Sequence, residues 1–126
     1  MMADMRHPHI VQFLGLCYLE GSTPPVLVME RLDTNLDNLL ETTPSIPLTL
    51  KRSLLTDVAR GLLYLHTRNP LVVHRDLSAR NVLLTSSLVA KISDLGNARI
   101  VNLQPGQLAR TPVSYTHLTL PTICSV

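Results

Sequence analysis

Residues 74–99, HRDLSARNVLLTSSLVAKISDLGNAR, constrain this chain more than any other stretch. Two short β-rich runs, 82–84 and 89–93, are separated by Thr85, Ser86 and Ser87, residues that favour turns. The pattern predicts a hairpin. If its turn is centred between Ser87 and Leu88, pairing about that point sets Asn81, at the start of one strand, opposite Asp94, at the end of the other. Two oxygen-bearing side chains then face each other at the open end of the ribbon, and Asp76 lies five residues before Asn81 on the same loop.

A carboxylate and an amide oxygen in that position suit a hard cation such as Mg²⁺, which takes one or two protein oxygens and completes its octahedron with phosphates and water. Asp76 is near enough to accept a proton from a hydroxyl attacking the phosphate. Taken singly, each of these side chains reads as an ordinary loop residue. Their joint spacing favours phosphoryl transfer.

His74-Arg75-Asp76 with Asn81, followed by Asp94-Leu95-Gly96, resembles the catalytic loop and metal-binding motif of the eukaryotic protein kinases. Both motifs occur in the right order, with a hairpin of the right length between them. The resemblance implies an α+β, partial protein-kinase-like fold comprising the end of the small lobe, the hinge and the first half of the helical lobe. It implies that Asp76 is the catalytic base and that Asn81 and Asp94 hold the metal, with ATP and Mg²⁺ as cofactors. By the same likeness Arg75 steadies the activation loop and Leu83 packs beneath the adenine ring. Leu95 departs from the usual Phe. An aliphatic side chain still fills an apolar slot, so altered packing is expected rather than lost chemistry.

With 126 residues, 45% of them hydrophobic and 16% charged, the chain can build one core. The family's catalytic domain is about twice as long, so residues 1–112 are expected to be part of such a domain. A net charge of +2 without a basic run gives no support for nucleic acid as a partner. Cys17 and Cys124 are too few for a disulfide framework and fit a reducing compartment, Cys17 as a small buried hydrophobe. Asp4, Arg6 and Pro8 interrupt the apolar run a signal peptide needs, and no stretch here is long and apolar enough to span a bilayer. The expected location is the cytoplasm, or the cytoplasmic side of a membrane receptor.

From the start of the chain, residues 1–6 read as the last turns of a helix stopped by Pro8. His7 and His9 flank that proline without a third ligand nearby, and read as a turn rather than a metal site. Runs 10–18 and 26–31, joined through Gly21, Pro24 and Pro25, predict a second hairpin. By resemblance VLVMERLD is the strand and hinge between the lobes. That likeness puts Met29 at the back of the nucleotide pocket, and Glu30 and Leu32 on adenine through their backbone groups.

Leu36, Leu39 and Leu40 predict a short helix over 35–41 capped by Thr34. A longer helix begins near Leu48, with Leu50, Leu54, Val58, Leu62 and Leu65 on its apolar stripe and Leu55, Ala59 and Leu63 widening it. His66 near its end reads as a capping or core residue. Asn69-Pro70 ends the helix, and 71–73 form a buried strand that delivers His74.

Ser78 stands where Ser/Thr kinases usually carry Lys, and Arg80 where tyrosine kinases tend to carry Arg. The loop therefore resembles the tyrosine-kinase or tyrosine-kinase-like branch, with Arg80 clamping the transferring phosphoryl group. A protein hydroxyl is the expected acceptor, tyrosine somewhat favoured. The alternative is a pseudokinase serving as a nucleotide- or protein-binding module, and Leu95 is its one hint. After Arg99 the sequence resembles the start of an activation loop, in which neither Thr111 nor Ser114 is marked as a phosphosite. Residues 113–122, VSYTHLTLPT, resemble the translation of a sequencing-library adaptor, so 113–126 are expected to be a non-native tail. Taken alone, the chain is expected to be inactive.

Overall fold

The computed structural model describes residues 4–21 and 24–102. Its elements are β1 (Phe13–Cys17), β2 (Val26–Met29), β3 (Thr34–Asn35), α1 (Leu36–Thr42), α2 (Leu48–Thr67), β4 (Leu71–Val73), β5 (Val82–Leu84), β6 (Ala90–Ile92) and β7 (Arg99–Val101). Short 3₁₀ turns occupy Ala79–Asn81 and Leu95–Asn97. The class is α+β, as the sequence predicts. Among the described residues the strands form small antiparallel sheets: β1 with β2, β3 with β5 and β6, and β4 with β7.

The long helix organises the core. Its apolar residues recur at helical spacing, and Leu54 and Leu65 are buried against Ile10, Leu84 and Ile92 in one cluster. The buried stripe is narrower and more polar than the sequence suggests. Asp57 and Gly61 lie on it, whereas Ala59 is exposed and Leu63 is 63% exposed. The reason is steric. At Gly61 the helix touches the backbone of the segment before β1: a Cβ there would lie 2.7 Å from the His9 carbonyl oxygen.

A buried polar knot ties the same contact. Asp57 Oδ2 accepts a hydrogen bond from the Ala90 N–H at 3.1 Å, and Asp57 Oδ1 lies 3.5 Å from His9 Nε2. His9 Nδ1 donates to the Ala90 carbonyl at 3.0 Å, since a carbonyl only accepts. Residues 7–10 form the expected turn, with Ile10 N–H donating to His7 O, and His7 stacks on Tyr64 of α2. Burial, and then the neighbouring His9, hold the His7 imidazole below its ordinary value.

Several local expectations are corrected. Asp4 lies in a turn and Met5 and Arg6 are not helical; Met5 instead plugs the core at 2% exposure, and residues 1–3 fall outside the described ones. Asn35, not Thr34, caps α1: its side chain accepts from Asn38 N–H at 2.8 Å, while Thr34 pairs with Leu84 and takes a bond from the Asn38 amide. Cys17 is exposed, because it sits on a two-stranded ribbon over which none of the described residues packs; Cys124 lies outside the described residues, as does the expected tail 113–126. The start of the expected activation loop is ordered as β7, which pairs with β4.

Candidate active site

The hairpin of β5 and β6 forms as predicted, but its register differs by one residue. Val82 pairs with Ile92, Leu83 with Lys91 and Leu84 with Ala90, so Asn81 opposes Ser93 and not Asp94. Ser93 donates both its N–H and its hydroxyl to the Asn81 carbonyl, at 2.8 and 3.0 Å. The cause is the loop. Leu88 N–H closes a turn on Thr85 O, and Leu88 itself adopts a left-handed φ of 60°, giving three loop residues where an even number was expected. The odd residue moves Asp94 one step past the ladder.

Asp94 turns the chain at that point. It sits in the left-handed region (φ 57°), and its Oδ1 accepts from Gly96 N–H at 3.3 Å, which starts the 3₁₀ turn Leu95–Asn97. Leu95 is 6% exposed and joins the core, filling an apolar slot as expected. Arg75, which follows the buried His74, is also left-handed (φ 70°), as Asp94 is after the His74 partner Ser93.

His74 couples the two segments. It is fully buried; Nε2 donates to the Ser93 carbonyl at 2.8 Å and Nδ1 accepts from Asp76 N–H at 3.2 Å. Those two bonds fix the neutral tautomer with its proton on Nε2. Asn81 secures the other side of the loop, its amide donating to the Asp76 carbonyl at 2.7 Å. That bond also settles the amide's orientation: Nδ2 faces the Asp76 carbonyl, which leaves Oδ1 as the side chain's acceptor atom. Asp76 is thereby held at its N–H and at its carbonyl, and its Oδ2 accepts from Asn97 Nδ2 at 3.3 Å.

A family model for protein tyrosine and serine/threonine kinases matches residues 1–118. The chain belongs to that family. Among curated relatives of this kinase chain, the dual specificity protein kinase shkA of Dictyostelium discoideum is 38% identical over 114 residues, covering 85% of this chain and 21% of its own. The serine/threonine-protein kinase drkC of the same organism, whose name is qualified as probable, is 37% identical over 128 residues, 98% of this chain and 17% of its own. The U-box domain-containing protein 34 of Arabidopsis thaliana is 36% identical over 106 residues, 80% and 13% of the two chains. The chain thus spans a fifth or less of the length of most of these relatives.

The kinase motif residues fall into two groups. Asp76, Asn81 and Asp94 lie on the 74–81 loop and the turn bound to it through His74, Ser93 and Asn97. Arg75 is exposed beside them, and Arg80 is directed elsewhere, its Nε lying 3.4 Å from Asp37 of α1 on the surface. The hinge residues form the second group. Met29 is 39% exposed at the end of β2, and Leu32 is half-buried. The Glu30 carboxylate meets the Lys91 ammonium at 2.7 and 2.8 Å and accepts Gln12 N–H at 2.7 Å. Burial pushes the Glu30 carboxyl up, but the hydrogen bonds from Lys91 and Gln12 and the charge of Lys91 outweigh it and hold the group below its ordinary value.

Lys91 is the cross-strand partner of Leu83, so Glu30 and Leu83 meet through one residue on one face of the sheet. That link joins the hinge to the strand leading into Asp94. Sequence reasoning gave Lys91 and Asn97 no role. The ion pair joins residues 61 apart, and no local pattern announces it. Asn97 had a weak signal, an amide immediately after Asp94-Leu95-Gly96.

Proposed function

We propose that residues 74–97 form the phosphoryl-transfer centre of an ATP-dependent protein kinase. The observation that carries this reading is the 2.7 Å bond from Asn81 Nδ2 to the Asp76 carbonyl, which makes a metal ligand and a base parts of one rigid loop. The donor set suits Mg²⁺: Asn81 offers an amide oxygen and Asp94 a carboxylate, both hard donors. When bound, magnesium neutralises charge on the phosphate oxygens.

The chain's own residues do the rest. Asp76 takes the proton from a protein hydroxyl whose oxygen bonds to the γ-phosphorus as the bond to ADP breaks. The backbone groups of Glu30 and Leu32 receive adenine, with Leu83 beneath the ring and Met29 behind it. Arg75 steadies the activation loop. Arg80 meets the phosphoryl group once it leaves Asp37. Tyrosine is among the accepted hydroxyls: Ser78 and Arg80 support this, as does the dual specificity named for shkA, while the name of drkC points to serine and threonine. We place the protein in the cytoplasm, or on the cytoplasmic side of a membrane receptor, acting on protein substrates and not on nucleic acid.

The test is transfer of labelled γ-phosphate from Mg-ATP to tyrosine, serine and threonine peptides by the full-length protein carrying this segment. Asp76→Asn is expected to lower kcat roughly 100-fold or more. Asp94→Asn is expected to raise the magnesium requirement. Transfer undiminished in Asp76→Asn would reject the assignment.

A further inference from the structure

We propose that Asn97 is a positioning residue that aims the Asp76 carboxylate at the acceptor hydroxyl, an inference that rests on the kinase reading of this loop. Its basis is how Asp76 is held. The N–H of Asp76 is fixed by His74 Nδ1 and its carbonyl by Asn81 Nδ2. Both contacts act on the backbone and leave the carboxyl group free to rotate. Asn97 acts on the carboxylate itself, at Oδ2, 3.3 Å from Nδ2.

The chemistry of that contact is unambiguous. An ionised carboxylate only accepts, so the amide must present its nitrogen, and one oxygen of Asp76 is occupied while the other remains to take a proton. A single donor on one oxygen stops rotation of the group and selects the oxygen that does the work.

Asn97 is itself firmly placed. It closes the turn Leu95–Asn97, which begins with Asp94 Oδ1 capping Gly96 N–H and ends with Ala98 N–H on Leu95 O at 3.0 Å. Leu95, between them, is buried in the core. The residue that offers a carboxylate to the metal and the residue that orients the base are therefore the two ends of one turn. Movement of Asp94 is transmitted to Asp76 through three residues of backbone, so the metal site and the base are aligned together.

The experiment measures kcat and KM for Mg-ATP and peptide in the full-length protein, with thermal unfolding of each variant alongside. Asn97→Leu removes the donor and is expected to lower kcat about tenfold with both KM values within about twofold. Asn97→Gln, which keeps the donor on a longer arm, recovers a large part of the loss. Asn97→Asp is nearly isosteric and preserves folding even if Leu does not; its like charge against Asp76 gives a loss at least as large as that of Leu. If the wild-type protein transfers phosphate and Asn97→Asp matches its kcat, the positioning role is overturned and the kinase assignment stands. If the wild-type protein transfers none, both fall together.

Discussion

Gly61 and Asp57 show how single residues lock the long helix to the rest of the molecule. A methyl group at Gly61 would meet the His9 carbonyl oxygen at 2.7 Å and Ile92 Cδ1 at 2.9 Å, and the first of these is backbone that cannot swing aside. Gly61→Ala is therefore expected to destabilise the fold by roughly 1–3 kcal/mol, even though alanine favours a helix over glycine by about 1 kcal/mol. The midpoint of urea denaturation of the full-length protein carrying this segment reads the sign directly. Asp57→Ala leaves the buried Ala90 N–H without its acceptor and is expected to cost about 1–3 kcal/mol. A lower midpoint with an unchanged denaturant slope is the expected signature. Neither effect belongs to catalysis, so both separate packing from chemistry when compared with Asn97.

Among the elements, the hinge segment and β6 are joined by an electrostatic contact whose strength follows pH. Glu30 is held below its ordinary value by Lys91 and Gln12 despite burial. A depressed carboxyl contributes stability that is present above the unfolded value of about 4.5 and is lost as pH falls through the lower folded value. Thermal unfolding of the full-length protein followed through that acidic window should show the loss, and Lys91→Met should flatten it. An unaltered profile in Lys91→Met would refute the coupling. At the other end of the hinge, Asn35→Ala removes the side-chain acceptor for Asn38 N–H and is expected to weaken α1 by about 1 kcal/mol. Helix α1 also carries Asp37, the surface partner of Arg80. The pair is exposed and contributes little, so Arg80 is released cheaply.

For the whole molecule, the decisive feature is the apolar ribbon of β1 and β2. Leu14 is 63% exposed, Leu16 50%, and Val26, Leu27, Val28 and Met29 between 39% and 45%. A two-stranded ribbon with this much apolar surface in water is marginal at best, and such a patch promotes association. The 126-residue chain expressed alone is expected to bind a hydrophobic dye, to self-associate, and to show neither a sharp unfolding transition nor ATP turnover. Monomeric, cooperative unfolding would contradict that. The described residues contain no helix long and apolar enough to cross a membrane.

Local sequence determined much of this protein by itself. Apolar spacing sets α2 at 48–67, and turn formers between β-rich runs set the hairpin of β5 and β6. Asp76, Asn81 and Asp94 fall near one another because short segments join them. Tertiary structure decided what depends on residues far apart. The buried face of α2 shifted to include Asp57 and Gly61 because the helix meets a backbone carbonyl some fifty positions away. Glu30 and Lys91 pair for the same kind of reason. The hairpin register turned on one backbone dihedral, at Leu88, whose side chain carries no mark of a left-handed conformation. Periodicity encodes which face a segment buries, but the partner and the last residue of register come from packing, where contacts between distant segments outweigh local preference.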